Sequence, residues 1–277
     1  MSLSFLLLIS YTVAEPNLAY RGIEMTKKKV LISGADSYIA QKLLKEQAVQ
    51  EAFTFLEINP DMEKAELVPL LEEAKYLLHL YESKTGSPEE LQVANVDYTA
   101  ELIHLVEEHA HRLPFIYTSS EYDDSEYGRS KLLGEQLIRE YGQRRRVRNI
   151  IYRLPVLMGE DLHLDIANPL HDLIKDMLLG NKEIQLPDED EHIFVDVEDV
   201  VVELTRALYG RAFYATVDKS ICVISAEYFA TWERVLGILR DIIKKGEDYP
   251  LPQDKANSLE QKLYRTYKSL EEYYSRV

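Results

Sequence analysis

Tyr117-Thr118-Ser119-Ser120-Glu121-Tyr122-Asp123-Asp124-Ser125-Glu126-Tyr127-Gly128-Arg129-Ser130-Lys131 decides how the chain reads. The approach to it, Leu113-Pro114-Phe115-Ile116-Tyr117, predicts a strand, and Gly128 to Tyr141 is rich in helix formers. Tyr127 and Lys131 are four apart and share a helix face. A nearby ammonium favours the ionised phenol. Ser120, a few residues upstream, would hydrogen-bond the same reacting oxygen. Together Ser120, Tyr127 and Lys131 form a proton donor and acceptor for alcohol–ketone interconversion. The hydride must come from a cofactor, because no side chain supplies one. Spacing alone also fits an exposed tyrosine beside a solvated lysine. In a chain with 19 tyrosines the spacing arises by accident, and Tyr264 and Lys268 repeat it without a strand or serine pair before them.

Upstream, Lys29 to Ser33 is a short apolar run that predicts a buried strand, and Ser37 to Glu46 predicts a helix. The turn between them is Gly34-Ala35-Asp36-Ser37-Tyr38-Ile39-Ala40. A dinucleotide-binding turn needs small residues here, so that the pyrophosphate can approach the backbone. Gly34 and Ala40 suit this; Ser37, in the middle position, would crowd the phosphate. An ordinary strand–helix turn is the other reading. The strand Phe53 to Ile58 ends about 20 residues past the turn, where Glu57 or Asn59 would hold an adenosine ribose.

The chain has 277 residues, 46% of them hydrophobic and 29% charged, as in an ordinary soluble globular protein. A net charge of -16 argues against nucleic-acid or anionic-membrane partners. A single cysteine, Cys222, rules out an internal disulfide, and the scattered histidines give no metal-ligand spacing. A reducing, cytoplasmic setting is consistent with this. Residues 1–24 contain Phe5-Leu6-Leu7-Leu8-Ile9, too short to span a membrane. They read as an accessory extension before Met25, or as a cleaved signal or membrane-touching tail.

Further along, helices are expected at Glu63 to Glu73, Asn95 to His109, Ile166 to Leu179, Glu198 to Leu208, Glu227 to Lys245 and Ala256 to Tyr274. Strands are expected at Tyr76 to Leu80, Asn149 to Arg153, His192 to Val197 and within Phe213 to Ser225. The early alternation predicts a parallel sheet covered by helices on both faces. The fold class is α/β: a Rossmann-like doubly wound sheet over 25–158, with a smaller substrate-binding lobe over 159–277 interleaved with it.

Lys29-Val30-Leu31-Ile32-Ser33-Gly34-Ala35, the Asn95 helix, the serine pair and Tyr127-Gly128-Arg129-Ser130-Lys131 occur in an order that resembles the extended short-chain dehydrogenases/reductases, the sugar-nucleotide epimerases, dehydratases and reductases. Tyr152-Arg153-Leu154-Pro155-Val156-Leu157-Met158-Gly159 and Phe194-Val195-Asp196-Val197-Glu198-Asp199 continue the pattern. Within that family the chain more closely resembles the reductase domain of a capsular-polysaccharide enzyme making a 6-deoxytalose-type sugar nucleotide, which has a similarly short segment between serines and tyrosine. The cupin domain of that enzyme is not expected in these residues.

The resemblance implies an NAD(P)-dependent reductase or epimerase acting on a nucleotide-linked sugar. NAD is expected and NADP possible, since no arginine follows the second strand. It implies a cofactor site of Gly34, Ser37, Tyr38, Ile39, Glu57, Asn59, Leu80, Asn95, Tyr127, Lys131 and Leu154, with Lys131 on the nicotinamide ribose. Substrate would meet Ser120, Glu121, Val156 and Asn168. A homodimer is implied as well. The sequence departs from the family at Ser37, at Tyr81-Glu82 (where small residues usually follow the third strand) and at Val156. These departures imply an altered cofactor site. They also motivate the alternative, a non-catalytic Rossmann protein acting as a ligand sensor or partner subunit.

Overall fold

Val30, Leu31 and Ile32 have no exposed surface, because the strand they form, β1 (Lys28–Ser33), is covered on both faces. In this computed structural model the described residues are 26–110, 112–121, 125–165, 167–181, 183–210, 221–222, 224, 227–251 and 258–277. Expectations for residues 1–24, for 122–124, for most of 213–225 and for the start of the Ala256 helix lie outside them.

Two short helices, α1 (Tyr38–Leu43) and α2 (Gln47–Ala52), follow β1 where one was expected to reach Glu46. Extended backbone at Glu46 separates them, so that Leu43 and Val49 enter the core from different axes. Next come β2 (Phe53–Ile58), α3 (Lys64–Glu73) and β3 (Tyr76–His79). The Asn95 helix is longer than expected: α4 (Pro88–Leu91) runs through a π turn at Gln92–Asp97 into α5 (Tyr98–His109). After β4 (Phe115–Ser120), Ser125 caps α6 (Glu126–Arg145), accepting from the Gly128 N–H at 2.9 Å. A methyl group on Gly134 would lie 2.7 Å from the Tyr117 hydroxyl, so glycine lets α6 press onto β4.

The chain continues with β5 (Ile150–Leu154), β6 (Val156–Met158), α7 (Pro169–Leu178), β7 (Glu191–Asp196), α8 (Val197–Leu208), β8 (Ile221–Cys222), β9 (Glu227–Thr231), α9 (Trp232–Lys245) and α10 (Leu259–Arg276). Glu227–Thr231 is therefore a strand and not the first turn of a helix. It pairs antiparallel with β7, and the Thr231 hydroxyl caps α9. The main sheet has the order β2-β1-β3-β4-β5-β8, all parallel, and β6-β7-β9 form a second sheet. Strand order reverses between β1 and β3, which opens a crevice at their carboxyl ends. One hydrophobic cluster runs from Val30 and Ile32 through Leu170 and Phe194 to Leu263 and Leu270, so both halves share a core.

α10 closes this architecture by bonding to a distant loop. The Gly159 N–H donates to Thr266 Oγ1 at 2.8 Å and the Asp161 N–H to Ser269 Oγ at 2.9 Å. That loop in turn holds α1: the Tyr38 hydroxyl donates to the Glu160 carbonyl at 2.7 Å, and Lys42 pairs with Asp161 at 2.8 Å.

Candidate active site

β4 carries Thr118, Ser119 and Ser120 to the carboxyl edge of the sheet, and the first turns of α6 return Tyr127 and Lys131 behind them. A cavity of about 360 Å³ opens there. Ser37, Tyr38, Ile39, Leu80, Ser120, Tyr127, Leu154, Val156 and Asn168 line it, so most residues expected at the site converge. Gly34 lines a smaller adjoining cavity of about 240 Å³, together with Ser37 and Leu80 to Thr85. Lys131 is buried at 1% exposure, with its ammonium 4.5 Å above the Tyr117 ring.

Five expected residues stand elsewhere or are committed elsewhere. Glu57 and Asn59 are exposed at the end of β2 and line neither cavity, and Asn59 accepts from the Asp61 N–H at 3.0 Å. Glu121 is exposed beyond β4. Asn95 is buried with its amide spent: it accepts from Ser83 N–H and donates to Ser83 O and Ser130 Oγ, each at 2.8 Å. Asn168 lines the cavity, but its side chain is the cap of α7. Its oxygen accepts from the Leu170 and His171 N–H groups, while its NH2 donates to Leu157 O and Asp165.

The residue that sequence reasoning left out of the site is Glu82. Its Oε2 accepts the Tyr127 hydroxyl at 2.9 Å and lies 2.9 Å from the Lys131 ammonium. Its Oε1 is 3.7 Å from Lys84, which also pairs with Asp165. Burial opposes the charge on Glu82, but Lys131 and then Lys84 outweigh it and hold the carboxyl down at about 2. Burial and then the Glu82 charge push the Tyr127 phenol well above its ordinary value. Lys131 is likewise raised: burial works against its charge, and Glu82 more than offsets it. In this arrangement the Glu82 carboxylate contacts both the Lys131 ammonium and the Tyr127 hydroxyl, and its charge raises the phenol that Lys131 was expected to lower. The signal was in the sequence, as an acidic residue where small ones are usual, but its partners depend on the path of the chain after β3.

A dinucleotide lying across both cavities is matched unevenly by these residues. At the turn, Gly34 has φ +74°, and a Cβ there would sit 2.5 Å from the Tyr81 nitrogen. Ser37 does not simply crowd this end, since its hydroxyl is drawn back to accept from the Ala40 N–H at 3.3 Å. At the other end the residues do not fit a nicotinamide ribose with Glu82 in place, because Glu82 already accepts the Tyr127 hydroxyl and is ion-paired with Lys131. Among the described residues no cluster suits a metal ion and no helix is long and apolar enough to cross a membrane.

Comparison with known proteins agrees with this architecture. The chain is 25% identical over 191 residues to a UDP-2-acetamido-2,6-beta-L-arabino-hexul-4-ose reductase of Pseudomonas aeruginosa, covering 66% of this chain and 50% of the relative. It thus spans about half the length of that curated relative. The capsular polysaccharide assembling protein CapF of Staphylococcus aureus superposes with a TM-score of 0.68 at 25% identity, over 87% of this chain and 64% of that one. UDP-glucuronic acid 4-epimerase from Bacillus cereus, solved in complex with NAD, shares the fold at 17% identity with a TM-score of 0.68, over 89% of this chain and 99% of that one. The model of the NAD dependent epimerase/dehydratase family matches residues 26–211, well over half of the chain. With the parallel sheet, the reversal of strand order and the Ser120–Tyr127–Lys131 cluster, that match makes the chain a member of the NAD dependent epimerase/dehydratase family.

Proposed function

We propose that the chain is an NAD(P)-dependent reductase or epimerase acting on a nucleotide-linked sugar. The observation that carries this reading is the convergence of Ser120 and Tyr127 on one cavity, with Lys131 behind them, at the reversal point of the sheet. The reductase and epimerase relatives act, by name, on UDP-linked sugars, which supports the substrate class. NAD(P) would supply the hydride exchange. The chain's own part is to hold a sugar oxygen between Ser120 and Tyr127 and to exclude water with Leu80, Leu154 and Val156. Tyr127 exchanges its proton with that oxygen only when released from Glu82. NAD is preferred to NADP, since no arginine follows β2 to hold a 2'-phosphate.

Tyr127→Phe tests this reading. It removes one hydroxyl and keeps the ring. Turnover of a UDP-linked 4-keto or 4-hydroxy sugar should fall by about 100-fold or more, while Tyr264→Phe should keep full activity. Unchanged turnover in Tyr127→Phe would sink the catalytic reading.

The bond from Tyr127 to Glu82 favours a second reading, a non-catalytic member of the family that binds a nucleotide sugar as a sensor or partner subunit. It predicts saturable binding of UDP-sugar with no turnover in the parent chain.

A further inference from the structure

Glu82 lines both cavities, so it stands where they meet. It is fixed from three sides. Tyr127 and Lys131 reach it from α6, Lys84 from its own segment, and Asn95 clamps the next residue through both backbone groups of Ser83. The wall around it adds Asp165, which draws Lys84, and the Tyr117 ring beneath Lys131. With Lys131 at 1% exposure, its charge needs an anion or a polar oxygen beside it. Glu82 supplies that oxygen from within the chain. Its side chain keeps 19% of its surface exposed, so a route toward solvent exists.

We propose that Glu82 is an intramolecular competitor at this site: its carboxylate holds the place of a ligand oxygen at Tyr127 and Lys131, and a dinucleotide can span the two cavities only as Glu82 withdraws. The inference rests on reading the cavities as a dinucleotide site. Protonation does not trigger the withdrawal near neutral pH, because the carboxyl is held at about 2. Ligand binding must instead supply the free energy, which lowers apparent affinity by the fraction of molecules in the withdrawn state.

Removing the competitor should therefore raise affinity. NADH fluorescence titration of the parent, E82A and E82Q reads this without any turnover. E82A should bind at least tenfold more tightly than the parent, because its unpaired Lys131 and Tyr127 become donors for the ribose. E82Q, which keeps a hydrogen-bond acceptor but no charge, should fall between the two. Unliganded E82A should also melt at a lower temperature than the parent and recover more of it on adding NADH. Equal or weaker NADH binding by both variants overturns the proposal. If E82A does not fold, E82Q decides in the same way. A parent that binds NADH well, with no gain in either variant, removes the competitor and leaves the proposed enzyme standing. Binding that appears only in the variants supports the competitor and points the parent to the non-catalytic reading. UDP-sugar titration, run alongside, tests the substrate class separately.

Discussion

At the scale of single residues, a buried histidine contributes to the acid sensitivity of the fold. His79 ends β3 with Nε2 2.8 Å from Thr99 Oγ1 and Nδ1 2.5 Å from Ser33 Oγ. Thr99 gives its one hydroxyl proton to the Asn95 carbonyl at 2.8 Å, so its oxygen must accept from His79 Nε2–H. Nδ1 is then the acceptor for Ser33, and the ring is neutral. Burial first, and the Lys131 charge second, lower His79 to about 3. The folded pKa lies below the unfolded value near 6.5, so the unfolded chain binds more protons between them. This contribution is fully present above about pH 6.5 and is lost at up to ~1.4 kcal/mol per pH unit as pH falls toward 3. Urea unfolding at stepped pH should show that slope, and His79→Gln should reduce it by about one proton. An equal slope in the variant would refute the assignment. Ser120, Tyr127 and Lys131 were legible in the sequence because they lie in an ordered local pattern. The roles of His79 and Glu82 were not, since each is defined by partners on other elements.

At the scale of elements, caps decide more than propensity does. Asn168 ends the Asp161 loop and starts α7, bonding two helix N–H groups and two acceptors upstream. Asn168→Ala should cost ~1–2 kcal/mol in urea unfolding through the lost cap alone. It should also loosen Asp165, which pairs with Lys84 across the cavity. A loss under a few tenths of a kcal/mol would show that the cap is dispensable. The parallel strands were readable because runs such as Val30-Leu31-Ile32 are apolar on both faces. Glu227 to Thr231 was not, because Glu-Tyr-Phe-Ala-Thr suits helix or strand, and pairing with distant β7 settles the choice. The break between α1 and α2 was hidden for a similar reason: the apolar spacing of Ile39, Leu43 and Leu44 does not reveal where the axis changes.

At the scale of the molecule, α10 is anchored to β7 and α8 through charge as well as apolar packing. Lys262 on α10 and Asp196 at the end of β7 pair at 2.9 Å, with exposures of 4% and 2%. Asp196 also caps α8, accepting from the Glu198 N–H at 2.9 Å. Lys262→Met would leave that carboxylate buried without its cation, and should cost ~3–5 kcal/mol. Thermal unfolding reads this as a clear drop in Tm; a change within a degree or so would mean that Arg265, 3.7 Å from Asp196, suffices alone. The Asp196 stretch was recognisable in the sequence, whereas its match to a lysine on α10 required the fold.

The bonds from α10 to the Gly159 loop also set an order of events during synthesis. Residues 159 and 161 emerge from the ribosome more than a hundred residues ahead of Thr266 and Ser269, their partners. At ordinary elongation rates that gap lasts roughly 5–20 s. Through that interval the sheet can already pair, while the loop that fixes Tyr38 stays open to water. The nascent chain thus carries an unfinished binding cleft until its distal helix arrives, and that interval is when a holding chaperone or a protease would meet it.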